Sequence, residues 1–181
     1  MSKIVVLVGS MRKRGNTATL ASAFVNGATA NGNEVSVISV ADYNVAPCTG
    51  CNACQRRENK DCVVQDDMRK VFLLLKDADV IVIASPVYFY GLSARLKAII
   101  DRLHQPARSV MKVKRLGLLL VAADTLPAVF DAIKLQYRLI LDYFHLESIG
   151  EVMAYGVEGI GDIKGRPVLD DAYRLGKEIE Q

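Results

Sequence analysis

Lys3-Ile4-Val5-Val6-Leu7-Val8-Gly9-Ser10-Met11-Arg12-Lys13-Arg14-Gly15-Asn16-Thr17 stands at the start of the chain and decides its fold. The apolar run Ile4 to Val8 follows a single lysine and stops at Gly9-Ser10. That length suits a buried strand, and it falls far short of the ~20 residues that span a bilayer. It also lacks the pattern of a signal peptide, so the chain is expected in the cytoplasm. Gly15 allows a tight turn, and a helix follows over residues 16–31 with Leu20, Phe24 and Ala28 on one face. Free amides at such a helix N-terminus, together with the helix dipole, make an anion site. Ser10, Thr17 and the Asn16 amide supply phosphate donors there, and Arg12 adds charge. The stretch has neither the Lys-Ser/Thr pair of a Walker A loop nor Gly-x-Gly-x-x-Gly, which favours a mononucleotide without a triphosphate. An ordinary basic turn capped by Asn16 or Thr17 would carry the same residues.

Outward from this unit, strand and helix patterns alternate to the end of the chain. Residues 34–40 alternate as a strand, and 66–77 read as a helix opened by Asp66-Asp67, acidic residues that suit its positive end. Val80 to Ala84 is a buried strand, and 93–103 a helix with Leu96, Ile99, Ile100 and Leu103 inward. Leu116 to Ala122 is the fourth strand. Residues 127–144 form a long helix with Pro127 in its first turn, 147–155 a weaker strand, and 168–179 a closing helix. Five strands separated by helices predict one α/β domain over residues 1–181, a parallel sheet covered on both faces. Ligands of such sheets bind beyond the carboxyl ends of the strands, where strand order reverses.

Composition agrees with a single packed domain. The 181 residues are 51% hydrophobic with a mean hydropathy of +0.19, which provides a large core and excludes a disordered chain. A net charge of +3 is mildly basic and suits an anionic ligand. The basic residues are dispersed apart from Arg12-Lys13-Arg14, with no interleaved aromatics, so neither nucleic acid nor a membrane is an expected partner.

Beyond the third strand lies Ser85-Pro86-Val87-Tyr88-Phe89-Tyr90-Gly91-Leu92-Ser93. Aromatics at the carboxyl edge of a sheet stack on a flat ring, and the exposed backbone around them bonds its polar rim. The same residues also suit an apolar subunit contact, and in a dimer one segment can serve both ends.

All four cysteines, Cys48, Cys51, Cys54 and Cys62, fall within fifteen residues of the long connection 41–64. A connection of that length is usually functional. In a cytosolic chain such clustering points to metal or redox chemistry before structural disulfides. The spacing Cys-x-x-Cys-x-x-Cys-x7-Cys offers the thiolates an iron-sulfur cluster needs, and a tetrahedral zinc site would use the same ligands. Arg56, Arg57 and Lys60 would favour bare thiolates without any metal.

The ordered set Gly9-Ser10-x-Arg12-x-x-Gly15-Asn16-Thr17, Ser85-Pro86-Val87-Tyr88-Phe89 and Leu96-Lys97-x-x-x-Asp101-Arg102 resembles the NAD(P)H-dependent FMN reductase family. Tyr155-Gly156 and Gly161-Asp162-Ile163 extend the likeness to nearly the whole chain. The resemblance implies a flavodoxin-like three-layer sandwich with strand order 2-1-3-4-5. It implies that Ser10, Arg12, Asn16 and Thr17 hold the FMN phosphate and that Pro86, Val87, Tyr88 and Phe89 hold the isoalloxazine. Ala123-Asp124-Thr125 is implied beside the flavin too, though it departs from the family's glycine-rich version. The cysteine spacing resembles the compact motif of the family's iron-sulfur flavoprotein branch, where a [4Fe-4S] cluster passes electrons to FMN. Other relatives carry a similar Pro-Cys-x-Gly-Cys loop with no cluster, as a small-residue wall beside the flavin. Relatives commonly form dimers or tetramers with the flavin at the interface, so a homodimer or homotetramer is expected.

The activity implied is electron transfer from NAD(P)H, as co-substrate, through FMN to a quinone, nitro or azo compound, metal ion or protein. Hydride transfer to a flavin needs little acid-base machinery, so no catalytic side chain is assigned. His104 and His145 lie at helix ends, where a cation is favoured by the dipole, and no Ser-His-Asp order or His-Glu-x-x-His pattern supports a hydrolase. A flavodoxin-type carrier would be strongly acidic, unlike this chain. A redox-sensing flavin-binding protein would use the cysteines instead.

Overall fold

The computed structural model describes residues 1–180. Its strands are β1 Lys3–Val8, β2 Glu34–Ser39, β3 Val80–Tyr88, β4 Gly91–Leu92, β5 Arg115–Val121 and β6 Glu147–Ala154. Its helices are α1 Asn16–Ala30, α2 Ala53–Arg56, α3 Met68–Lys76, α4 Ala94–Arg102, α5 Asp131–Phe144 and α6 Val168–Lys177. The sheet order is β2-β1-β3-β5-β6, all parallel, with β4 paired antiparallel to the end of β3. Counting the five parallel strands alone, this is the expected 2-1-3-4-5 arrangement.

Strand residues point alternately to opposite faces, and each face is buried by its own helices. Val5, Leu7, Ile81, Ile83, Leu118 and Leu120 pack with Val71 and Leu75 of α3, Leu96 and Ile99 of α4, and Ile133 and Tyr137 of α5. Ile4, Val6, Val8, Val80, Val82, Leu119 and Val121 pack with Leu20, Phe24 and Ala28 of α1 and Ala172 of α6. Helices α1 and α6 lie backbone against backbone at Gly27 and Gly176. A Cβ on Gly27 would meet the Tyr173 carbonyl oxygen at 1.9 Å, and one on Gly176 the Phe24 oxygen at 2.2 Å.

Several elements differ from the sequence reading, and α2 is a short helix inside the connection 41–64. β3 runs on through Pro86 to Tyr88 and turns back into β4, so the aromatic segment is a hairpin, not a loop. β1 pairs with β3 only as far as Ala84, which leaves Pro86 bonded on one side and its missing N–H without consequence there. The long helix begins later than its proline. Pro127–Phe130 is a 3-10 turn, and α5 proper starts at Asp131. Among the described residues no helix is long and apolar enough to cross a membrane.

Candidate functional site

The turn after β1 is closed by its own backbone. The Gly15 N–H donates to the Arg12 carbonyl at 2.9 Å, and the Arg12 N–H donates to Ser10 Oγ at 3.1 Å. α1 then starts with Gly15 at its N-cap, extended in conformation and with no side chain capping the helix. The first amides of α1 are therefore left without the usual Ser, Thr or Asp partner. Ser10 and Thr17 are buried in the turn, while Arg12 lies exposed with Nη1 reaching the Glu158 carbonyl at 3.4 Å. Such a cradle suits a phosphate.

Asn16 is used differently from the expectation that its amide faces a phosphate. Its Nδ2 donates to the Gly159 carbonyl at 2.7 Å, and its Oδ1 accepts from Gly161 N–H at 3.0 Å and Ile163 N–H at 3.5 Å. The side chain braces α1 against the segment after β6. That segment is itself held by Asp162, whose carboxylate accepts from the N–H of Gly159 at 2.7 Å and of Glu158 at 3.2 Å.

The hairpin is stapled to this turn at its base. Fully buried Ser85 accepts from the Ser93 N–H at 3.1 Å and donates to the Pro86 carbonyl at 2.8 Å. Ser93 Oγ donates in turn to the Gly9 carbonyl at 2.6 Å. Gly9 is required here, since a Cβ would sit 2.7 Å from Leu96 Cδ2. At the tip, Phe89 and Tyr90 both have left-handed backbones, with φ of 50° and 62°. Two successive positive φ values make the two-residue hairpin turn that Asn-Gly normally fills, and bulky aromatics adopt it only under strain. Phe89 is 99% exposed, with Tyr88 and Tyr90 more than half exposed.

Ala123 and Asp124 lie exposed just beyond β5. The Asp124 carboxylate accepts from Leu126 N–H at 2.9 Å and its carbonyl from Gly156 N–H at 3.0 Å. Asp124 thereby shapes its own turn and fixes the start of the segment after β6. Arg166 holds that segment from the other side, with Nη1 on the Tyr155 carbonyl at 2.8 Å and Nη2 on that of Gly156 at 2.9 Å. The sequence reading assigned no role to this segment. Gly156, Gly159 and Gly161 together with Asp162 were the available signal. The turns after β1, β3, β5 and β6 thus form one connected rim at the carboxyl ends of the strands.

The four cysteines line one small cavity of about 70 Å³, shared with Arg102 and His104. All four thiols are free. Among the described residues no three ligand-type side chains are gathered closely enough to hold a metal, so the thiols share a cavity without being closed around one. The Ala53 backbone N–H and then the Thr49 hydroxyl hold the Cys51 thiol below its ordinary value. Under the loop lies an ion pair that sequence reading missed. Arg102, the residue after Asp101 in α4, bonds the Asp66 carboxylate, and the two side chains are only 2% and 8% exposed. Burial would raise the Asp66 carboxyl, but the N–H groups of Ala46 and Met68 and the Arg102 guanidinium outweigh it and hold it below the usual range.

The NADPH-dependent FMN reductase family profile matches residues 2–155. The chain is 32% identical over 192 positions to an iron-sulfur flavoprotein of Methanocaldococcus jannaschii, covering 99% of this chain and 96% of that protein. It is 26% identical to a putative NAD(P)H-dependent FMN-containing oxidoreductase of Bacillus subtilis, covering 98% of each. An NAD(P)H:quinone oxidoreductase from Methanothermobacter marburgensis has the same fold, with a TM-score of 0.77, 14% identity and 99% of each chain covered. The chain belongs to the NADPH-dependent FMN reductase family and is an NAD(P)H-dependent FMN oxidoreductase.

Proposed function

We propose that the phosphate of FMN lies in the turn Ser10–Thr17, on the free amides of α1 with Ser10, Arg12, Asn16 and Thr17 around it. The ring then lies against Pro86, Val87, Tyr88 and Phe89, with Ala123 and Asp124 at its edge. The observation that carries this reading is the uncapped N-terminus of α1 joined through Gly9 and Ser93 to the aromatic hairpin. The residues present suit the group: one end of the rim offers N–H donors to a dianion and the other a planar apolar wall.

When bound, FMN supplies the redox chemistry, accepting hydride from the nicotinamide and returning electrons to an acceptor. The chain's work is positional. The backbone around Pro86–Phe89 orients the ring, the stapled hairpin base fixes its distance from the phosphate turn, and the exposed aromatics shield one side from water. No side chain is required to move a proton. The acceptor is a quinone, nitro or azo compound, metal ion or protein, and the four free thiols suit the reducing conditions of the cytoplasm. Exposed Leu135, Leu139 and Tyr143 along α5, together with Phe89, support a homodimer or homotetramer. Steady-state NADH and NADPH oxidation by the FMN-loaded chain with added quinone tests the activity. Turnover that needs both FMN and acceptor is expected, and its absence with every acceptor class would mark the chain as a carrier or sensor.

A second reading draws on the cysteines lining one cavity: Cys48, Cys51, Cys54 and Cys62 would be the ligands of a [4Fe-4S] cluster, which would supply a one-electron centre beside the flavin. Iron and sulfide analysis of anaerobically purified protein decides it, with about four of each per chain expected for a cluster.

A further inference from the structure

Between residues 57–66 and the helices α3 and α4 lies a cavity of about 150 Å³. It shares no residue with the phosphate turn or the aromatic hairpin. Arg57, Arg69 and Arg102 line it together with Gln105, and Asp61 and Asp66 are its acidic residues. Three guanidiniums against two carboxylates leave one positive charge on the lining. Arg102 is already engaged: Nη1 donates to Asp66 and to the Ala46 carbonyl at 3.3 Å, and Nη2 to the Val64 carbonyl at 3.5 Å. The surplus charge therefore belongs to Arg57 and Arg69.

Neither of these two side chains is fully used. Arg69 is exposed in the first turn of α3, and its side chain is in no hydrogen bond or ion pair among the described residues. The Arg57 side chain donates only from Nε, to Asn59 Oδ1 at 3.3 Å, which leaves both Nη groups open. Gln105 is 9% exposed, and its side-chain amide has no hydrogen bond among the described residues. A buried amide normally has a partner, so one left open on a cavity with two open guanidiniums marks a place for a ligand. Guanidiniums match the paired oxygens of an oxyanion, and an amide N–H adds a neutral donor. Val64, Met68 and Phe72 give the same cavity an apolar wall.

We propose that this cavity is a second anion site, for a small organic acid carrying one carboxylate on a short apolar body. The single surplus charge balances a carboxylate, whereas a phosphate monoester is close to doubly charged at neutral pH. Arg57, Arg69 and the Gln105 amide take the head, and the wall of Val64, Met68 and Phe72 takes the tail. The Arg102–Asp66 pair keeps the lining in place, since it holds the Ala46 and Val64 carbonyls and the Ala46 and Met68 N–H groups. The site is separate from the residues proposed to hold FMN, so such an acid binds the flavin-loaded protein.

Butyrate is the probe, with monobutyl phosphate and 1-butanol as its doubly charged and uncharged counterparts. Each is titrated calorimetrically into FMN-bound chain at constant ionic strength, alongside Arg69→Ala and Gln105→Leu. The wild type is expected to show one saturable butyrate site with the flavin spectrum unchanged, and to bind butanol at least about tenfold more weakly. Each variant should lose about tenfold in butyrate affinity while keeping FMN. No saturable uptake of butyrate by the wild type overturns the proposal. Butyrate binding that both variants keep at full affinity lies elsewhere on the chain, the phosphate turn included, and overturns it too. Tighter binding of monobutyl phosphate than of butyrate overturns the assignment of a carboxylate. Should Gln105→Leu fail to fold, Arg69→Ala, a change at an exposed position, decides by the same readout.

Discussion

The Ser93 hydroxyl donates to the Gly9 carbonyl at 2.6 Å, joining two turns 84 residues apart in the chain. One turn is proposed to hold phosphate and the other ring, so this bond sets the distance between the two ends of the ligand. Removing the donor leaves the Gly9 carbonyl buried without its partner. Ser93→Ala is therefore expected to lower stability by about 1–2 kcal/mol and to weaken FMN binding by roughly tenfold. Urea denaturation with and without FMN measures both. Equal loss with and without the ligand would mean that the bond serves folding only.

The Phe89-Tyr90 turn is strained, since both residues are left-handed and neither is glycine. Replacing the pair by Asn-Gly supplies the residues this turn favours and should raise stability by roughly 1–2 kcal/mol. The same change removes the aromatic tip, so NAD(P)H oxidation should fall by at least about tenfold if the tip shields the ring. A variant that is more stable and fully active would show that the strain serves neither ring nor assembly.

Close approach of α1 and α6 depends on two missing side chains. Gly27→Ala or Gly176→Ala brings a methyl within 2.2 Å of a backbone oxygen, and separating the helices should cost at least about 3 kcal/mol. Gly91→Ala is the control, because its Cβ would meet nothing nearer than the Tyr88 oxygen at 3.6 Å. Thermal melts of the three variants rank them directly.

Burial, aided by the Glu151 carboxylate, pushes the Tyr137 hydroxyl up to about 12. Its proton is held by the Leu116 carbonyl at 2.6 Å, with Ser148 Oγ at 2.9 Å. The folded value lies above the unfolded one near 10, so the folded state binds the proton more tightly. Its contribution of roughly 2–3 kcal/mol is complete below pH 10 and is lost as pH rises toward 12. Denaturation midpoints from pH 8 to 11.5 should fall over that window in the wild type and fall less in Tyr137→Phe.

How far the sequence reaches follows from the range of its signals. The strand Ile4–Val8, the turn to Gly15 and the face Leu20, Phe24 and Ala28 are each local patterns, and all appear in the structure as read. The alternation of strands and helices then leaves few possible arrangements of the sheet. The hairpin was less legible, because Pro86 argues against a strand wherever both edges are paired, and only the short reach of β1 removes the conflict. Asn16 read as a phosphate donor because its partners Gly159 and Gly161 are more than 140 residues away. Asp66 read as a helix start, and α3 opens two residues later at Met68, whose N–H Asp66 accepts; its ion pair with Arg102 lies 36 residues distant and no periodicity encodes it.

If the N-terminus of α1 grips a phosphate, FMN and riboflavin will differ in affinity, and the comparison needs no turnover. Isothermal titration of the ligand-free chain should give one FMN site binding on the order of 100-fold tighter than riboflavin, a difference abolished in the Ser10→Ala, Arg12→Ala, Thr17→Ala triple variant. Equal affinity of the wild type for the two flavins would contradict the account.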